Sequence, residues 1–231
     1  MTSNLIRKIQ GAIAFHLNKI KYFSVHGYNS KKYWNDRLTH YRLSLQGVGN
    51  KTLTEEENRR QYQKAGETFL SLCRKEGLDF RKLKILDIGC GIGFYAEIIL
   101  RNGGENYTGV DITDTLFLQL GGKFSAFTFL KRDITQQPLP DTFDLIIMID
   151  VTQHITTKKK FSSAMQNIKN HLNVGGTFIV TSWLRGDYKM GFYEVSRSLE
   201  RYKREFEGFH FSEPMPFRGK FLFSIKNISK R

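Results

Sequence analysis

Residues 84–99 read KILDIGCGIGFYAEII. A short apolar run carries one aspartate, Asp87, then meets Gly89, Gly91 and Gly93 on alternate positions, then turns helical. Glycines between a strand and a helix let backbone approach a ligand closely at a helix N-terminus. Three ligand classes compete for such a turn. A nucleoside-triphosphate loop ends in Gly-Lys-Ser/Thr, whereas this one continues Gly93-Phe94-Tyr95. A dinucleotide loop wants its third glycine at position 94, where Phe stands. Asp87 is a poor neighbour for a pyrophosphate and, by Coulomb attraction, a good one for an ammonium group.

Outward from this stretch the chain alternates strand and helix. NYTGVDI, AFTFLKRDI, FDLIIMIDV, GGTFIVTSWL and KFLFSIKNI read as strands, with helices predicted over 93–102, 114–121, 158–172 and 191–206. That grammar predicts an α/β fold: a doubly wound, mostly parallel seven-stranded sheet with helices on both faces. Upstream, Leu5, Ile9, Ile13, Leu17 and Ile20 predict an amphipathic helix over 3–23, and further helices are predicted over 30–46 and 55–75. The last of these opens with Thr54 and Glu57 as a capping box. We therefore divide the chain into an N-terminal helical cap, 1–75, and a ligand-binding domain, 76–231.

Four acids stand at the ends of four successive predicted strands: Asp87, Asp111, Asp133 and Asp150. In an open parallel sheet that edge is where ligands bind. Asp111, 22 residues after Gly89, suits a ribose diol, with Ile112 beside it to pack on a base. Asp133 can accept from an adenine amino group; it and Asp150 equally suit helix capping. An ammonium-bearing, phosphate-free nucleoside such as S-adenosylmethionine meets all these requirements.

The set resembles the class I, Rossmann-like S-adenosylmethionine-dependent methyltransferases. ILDIGCGIG looks like their first motif, GVDI the second, RDI the third, FDLIIMIDVTQHI the fourth and LNVGGTFIVTSW the fifth. The resemblance implies S-adenosyl-L-methionine as cofactor, held by Asp87, Gly89, Cys90, Gly91, Gly93, Asp111, Ile112, Asp133, Ile134, Asp150 and Val151. Cys90 has no flanking base or cation to make it a nucleophile. His154, four residues past Asp150, is the candidate general base, or else a pocket-lining side chain. The N-terminal segment KKYWNDRLTHYRLSLQGVGN is similar to the cap of bacterial small-molecule methyltransferases, making Tyr33, Trp34, Arg37, Asn58 and Tyr62 candidates to close over the site. Arg185 and Arg197 are candidates for the far wall.

The same resemblance narrows the acceptor. The Asn/Asp-Pro-Pro-Tyr/Phe stretch of amino-methylating nucleic-acid enzymes is absent, DVTQ standing in its place. No cysteine follows the fourth strand for pyrimidine carbon methylation, and TSWLRGD carries one acid where a metal site would want several. The expectation is methyl transfer, without a metal, to a hydroxyl of a sugar, lipid or natural product.

Composition supports a folded chain: 40% of the 231 residues are hydrophobic. Two cysteines, too few for a disulfide framework, and the lack of a clean signal-peptide core point to a reducing, cytoplasmic setting. The net charge of +14 is uneven. Residues 1–60 hold 11 Lys/Arg against 4 Asp/Glu, residues 61–183 hold 14 against 12, and residues 184–231 hold 11 against 6. Basic ends favour an anionic group on the acceptor, a nucleic-acid substrate as the second choice, or contact of 3–23 with a membrane surface that brings the enzyme to a lipid-linked substrate.

Overall fold

The structure, a computed structural model, describes residues 16–25 and 27–229. Most of the predicted 3–23 helix lies outside the described residues; residues 16–22 are helical. A two-residue hairpin follows, β1 (Phe23–Ser24) against β2 (Gly27–Tyr28). Helix α1 (Ser30–Tyr41) is stopped by Arg42 in a left-handed conformation, φ 49°. The helix predicted over 30–46 is therefore two, the second being the single turn α2 (Leu45–Val48). Helix α3 (Glu55–Lys75) opens with the Thr54/Glu57 capping box, both reciprocal hydrogen bonds being present.

The sheet is built from β3 (Ile85–Ile88), β4 (Tyr107–Asp111), β5 (Thr128–Lys131), β6 (Phe143–Met148), β7 (Leu172–Ser182) and β12 (Lys220–Lys226). Their spatial order is β12-β7-β6-β3-β4-β5, parallel except for β12. Two short strands, β10 (His210–Phe211) and β11 (Met215–Phe217), pair with opposite ends of β12, so the expected seventh strand is split and the sheet has eight. Helices α4 (Phe94–Arg101), α5 (Phe117–Lys123), α6 (Lys158–His171) and α7 (Leu199–Glu205) complete the fold.

Strand alternation assigns the two faces. Ile85, Leu145, Ile147, Ile179 and Leu222 join one core with Phe69, Leu72, Phe80, Tyr95 and Ile99. Their neighbours Leu86, Ile146, Met148, Phe178, Val180 and Phe223 join the other with Phe161, Met165, Ile168, Tyr202 and Phe206. Helices α3 and α4 thus cover one face and α6 and α7 the opposite one. Helix α3 inserts Ala65, Phe69, Leu72 and Cys73 into the same core as β3 and β6.

The helix predicted over 191–206 is shorter. Residues 188–196 form a hairpin, β8 (Tyr188–Lys189) with β9 (Val195–Ser196), and helix begins only at Leu199, capped by the Ser198 side chain on the Arg201 amide. Phe192 and Tyr193 are drawn out of helix by a third aromatic cluster with Tyr22, Tyr28, Tyr33 and Trp34.

Phe69 is fully buried, stacked on Phe80 at 6.1 Å and edge-on to Tyr95 at 5.1 Å. Phe69→Ala is expected to cost about 3–5 kcal/mol in urea unfolding. A loss below about 1 kcal/mol would mean that α3 does not share the core of the sheet.

Candidate active site

The carboxyl ends of the parallel strands are shaped by the glycines of the opening stretch. Gly89, Gly91 and Gly93 all have positive φ, 77°, 53° and 76°. A Cβ on Gly89 would stand 2.3 Å from Val151 Cγ2, and one on Gly93 2.8 Å from both Leu120 and Phe124. The turn therefore lies directly under the loop after β6. The Gly91 amide donates to Asp111 Oδ2 at 3.1 Å, and the Thr113 amide donates to Oδ1 at 3.2 Å. Burial pushes the Asp111 carboxyl up to about 6.

Above this edge lies a cavity of about 600 Å³. Of the residues singled out from the sequence, Gly89, Cys90, Gly91, Asp111, Ile112, Asp133, Ile134, Asp150, Val151, His154, Trp34 and Tyr62 line it. Cys90 contributes only a packed thiol, its pKa raised by burial. Asp133 is already engaged, accepting from Thr135 N at 3.0 Å, Thr135 Oγ1 at 2.7 Å and Gln136 Nε2 at 2.5 Å.

Other candidates sit behind the wall. Asp87 is buried beneath the cavity and accepts from the Tyr107 hydroxyl at 2.7 Å; burial pushes its carboxyl up to about 7. Gly93 caps α4. Tyr33 belongs to the aromatic cluster, stacked on Tyr193 at 5.8 Å. Arg37 donates to Tyr33 Oη at 3.2 Å and to the carbonyls of Gln46 and Gly49, so it braces the α2 turn. Asn58, fully buried, accepts from Asn50 N and donates to Asn50 O, both at 2.9 Å. A Cβ on Gly49 would meet Asn58 Oδ1 at 2.4 Å. These residues hold the cap segment that presents Leu38 and Val48 to the cavity. Arg185 is exposed and outside the lining. Arg197 is buried, donating to Thr152 O at 2.7 Å and to Ile155 O, with its guanidinium 3.9 Å over Phe161. It fixes the turn that carries His154 instead of facing a ligand.

His154 is enclosed. Its Nδ1 lies 3.1 Å from Tyr193 O, and its ring meets Trp34 edge-on at 5.1 Å. Burial, reinforced by the Lys220 and Arg37 charges, pushes its pKa down to about 4. A carbonyl can only accept, so Nδ1 carries the proton and neutral Nε2 keeps its lone pair. Asp150, in a left-handed conformation with φ 59°, takes Arg218 Nη1 at 2.9 Å and Lys220 Nζ at 2.5 Å. Burial opposes its ionisation, but the two cations outweigh that and hold the carboxyl below its usual range.

Several lining residues escaped the sequence reading. Phe23, Tyr28 and Phe192 close the roof, and Tyr95, from the opening stretch itself, reaches the cavity from α4. The Tyr28 and Tyr95 hydroxyls are buried without a hydrogen-bond partner among the described residues. A buried orphan hydroxyl costs roughly 1–3 kcal/mol, so both are suited to a bound ligand's polar groups. The helical periodicity of α4 was the available signal for Tyr95; nothing in the sequence placed the hairpin 23–28 over the sheet.

The geometry suits an adenosine-type cofactor: a glycine turn that tolerates close approach, a half-buried carboxylate at Asp111 with lone pairs to spare, and an apolar flank at Ile112 and Ile134. Residues 86–180 match the family model described as Methyltransferase domain. The sterol 24-C-methyltransferase ERG6B of Gibberella zeae is 30% identical over 112 residues, covering 46% of this chain and 29% of that protein. The ubiquinone biosynthesis O-methyltransferase of Rickettsia prowazekii is 27% identical over 113 residues, covering 46% of this chain and 42% of that one. The chain thus spans less than half the length of these curated relatives. The crystal structure of the N-methyltransferase NodS from Bradyrhizobium japonicum, with S-adenosyl-L-homocysteine, superposes with a TM-score of 0.60 over 72% of this chain and 87% of that one, at 17% identity. At that identity the likeness is one of fold.

The Asp87 carboxyl makes stability depend on pH. Its native pKa of about 7 exceeds its ordinary 3.8, so the folded state holds this proton more tightly. Stability from this group is present below about pH 4 and is lost as pH rises through about 7. Asp87→Asn keeps an acceptor for Tyr107 and removes the titration. Thermal melts are expected to show wild type losing stability relative to Asp87→Asn between those limits; parallel profiles would contradict it.

Proposed function

We propose that this chain, whose residues 86–180 match the family model described as Methyltransferase domain, transfers the methyl group of S-adenosylmethionine to an acidic hydroxyl of a small, largely apolar acceptor. The observation that carries the reading is the cavity at the strand edge in which a neutral His154 stands against Trp34, with Phe23, Tyr28 and Phe192 also in the lining. When bound, the cofactor supplies an electrophilic methyl group on a sulfonium.

The chain's own residues do the rest. Asp111 accepts from the ribose hydroxyls, with its orientation fixed by the Gly91 and Thr113 amides. Gly89 and Gly91 admit the amino-acid tail to the backbone. Asp133, though engaged by Thr135 and Gln136, keeps an acceptor position for the adenine amino group. Phe23, Tyr28, Trp34 and Phe192 exclude water and hold the acceptor for in-line attack. His154 Nε2 takes the proton from the acceptor hydroxyl, while Nδ1 stays anchored on Tyr193 O. A base with a pKa of about 4 serves an acidic hydroxyl such as a phenol better than an aliphatic alcohol. The roof disfavours a polymer: a nucleic-acid strand needs an open groove along which its backbone can run.

Two experiments check this. Given labelled methyl donor and a cell extract, the protein is expected to label the solvent-extractable small molecules; label confined to nuclease-sensitive material would overturn the acceptor class. His154→Ala is expected to lower kcat by roughly 10²–10⁴. Protonation disables the base, so, with the methyl donor saturating to offset the titration of Asp111 near 6, wild-type kcat should hold steady as pH falls and drop only near pH 4. A drop near the ordinary histidine value of about 6.5 would contradict the buried, neutral imidazole.

A further inference from the structure

The segment 16–25 and the β8–β9 hairpin both border the cavity and both leave large apolar side chains in solvent. Leu17, Ile20 and Val25 are 62%, 79% and 97% exposed, and Tyr188 and Met190 are 48% and 40% exposed. Their neighbours Phe23, Gly27, Lys189 and Gly191 line the cavity. The two segments are tied together by the aromatic cluster of Tyr22, Tyr28, Tyr33 and Phe192. These five exposed apolar groups therefore stand next to lining residues of the cavity, whereas Leu43, Leu100, Leu118, Val174, Phe221 and Ile228 are exposed in other segments.

Charge selects what covers them. Residues 1–35 contain six Lys/Arg (Arg7, Lys8, Lys19, Lys21, Lys31 and Lys32) and no Asp or Glu. Lys19, Lys31, Lys32 and Lys189 are exposed. Apolar side chains flanked by lysines, Leu17 and Ile20 lying on the helical residues 16–22, match an anionic bilayer surface: the apolar groups enter the acyl boundary while the lysines meet acidic headgroups. A nucleic acid offers no partner for Leu17, Ile20 and Val25.

We infer that residues 16–25 and the tip of the β8–β9 hairpin seat the protein on an anionic membrane, with the cavity mouth facing the bilayer. An acceptor with a lipid tail then reaches His154 with that tail still in the membrane. This delivery rests on the methyl-transfer reading; the membrane contact stands without it.

The test is co-sedimentation of the full chain with vesicles of phosphatidylcholine alone or mixed with phosphatidylserine. Binding is expected only to the mixed vesicles, and weaker at high salt. The double variant Ile20→Ser, Met190→Ser, neither residue lining the cavity, should weaken it about tenfold or more while its melting temperature stays near wild type. Binding to neither vesicle overturns the inference, as does binding that the double variant leaves unchanged. Concentration-dependent dimerisation abolished by the same variant overturns it too, since the patch would then meet a second copy. None of these readouts needs methyl transfer, so failure here is separable from failure of the catalytic assignment.

Discussion

The contact between Gly89 and Val151 is the constraint on which the site depends. With no side chain at 89, the loop after β6 lies directly on the turn after β3, where any Cβ would stand 2.3 Å from Val151. That approach sets Asp150 and His154 on the same cavity as Gly91 and Asp111, at one edge of the sheet. The left-handed backbone at 89, 91 and 93 is strained for any residue but glycine, which confines the turn's sequence tightly.

Electrostatics then divides the carboxylates by role. Asp150 is held ionised by Arg218 and Lys220, a pairing that needs β12 to run antiparallel beside β7, so that its first residues arrive at the edge where the parallel strands end. Asp87 has only a tyrosine hydroxyl and lies buried, so its carboxyl rises instead. The same cations help to keep His154 neutral. One loop thus holds a fixed anion at 150 and, four residues on, a free imidazole lone pair.

Much of this was legible in the sequence. Apolar runs bounded by turn residues located β3, β6, β7 and β12, and the acids at 111, 133 and 150 marked the strand edge that borders the cavity. The errors have a common cause. Arg37 and Asn58 looked like ligand contacts, but Arg37 Nη2 goes to the carbonyls of Gln46 and Gly49 and Asn58 Nδ2 to carbonyls between residues 50 and 54, a pairing visible only once the cap has turned at Arg42. Arg197 likewise serves the carbonyls of the His154 turn. Residues 191–196 carried helical periodicity, yet Phe192 and Tyr193 gain more by joining Tyr28 and Tyr33. Long-range aromatic and side-chain-to-backbone contacts leave no local period, so the strand edge, Trp34 and Tyr62 were readable, and Phe23, Tyr28 and Phe192 were not.

The central claim is that the glycine turn and Asp111 hold the nucleoside and amino-acid tail that S-adenosylmethionine shares with S-adenosylhomocysteine. Calorimetric titration of S-adenosylhomocysteine into the full chain tests it most directly. The account predicts saturable one-to-one binding, abolished by Gly91→Val in a chain that still melts cooperatively. No binding to the wild-type protein, or unchanged binding to Gly91→Val, would contradict it.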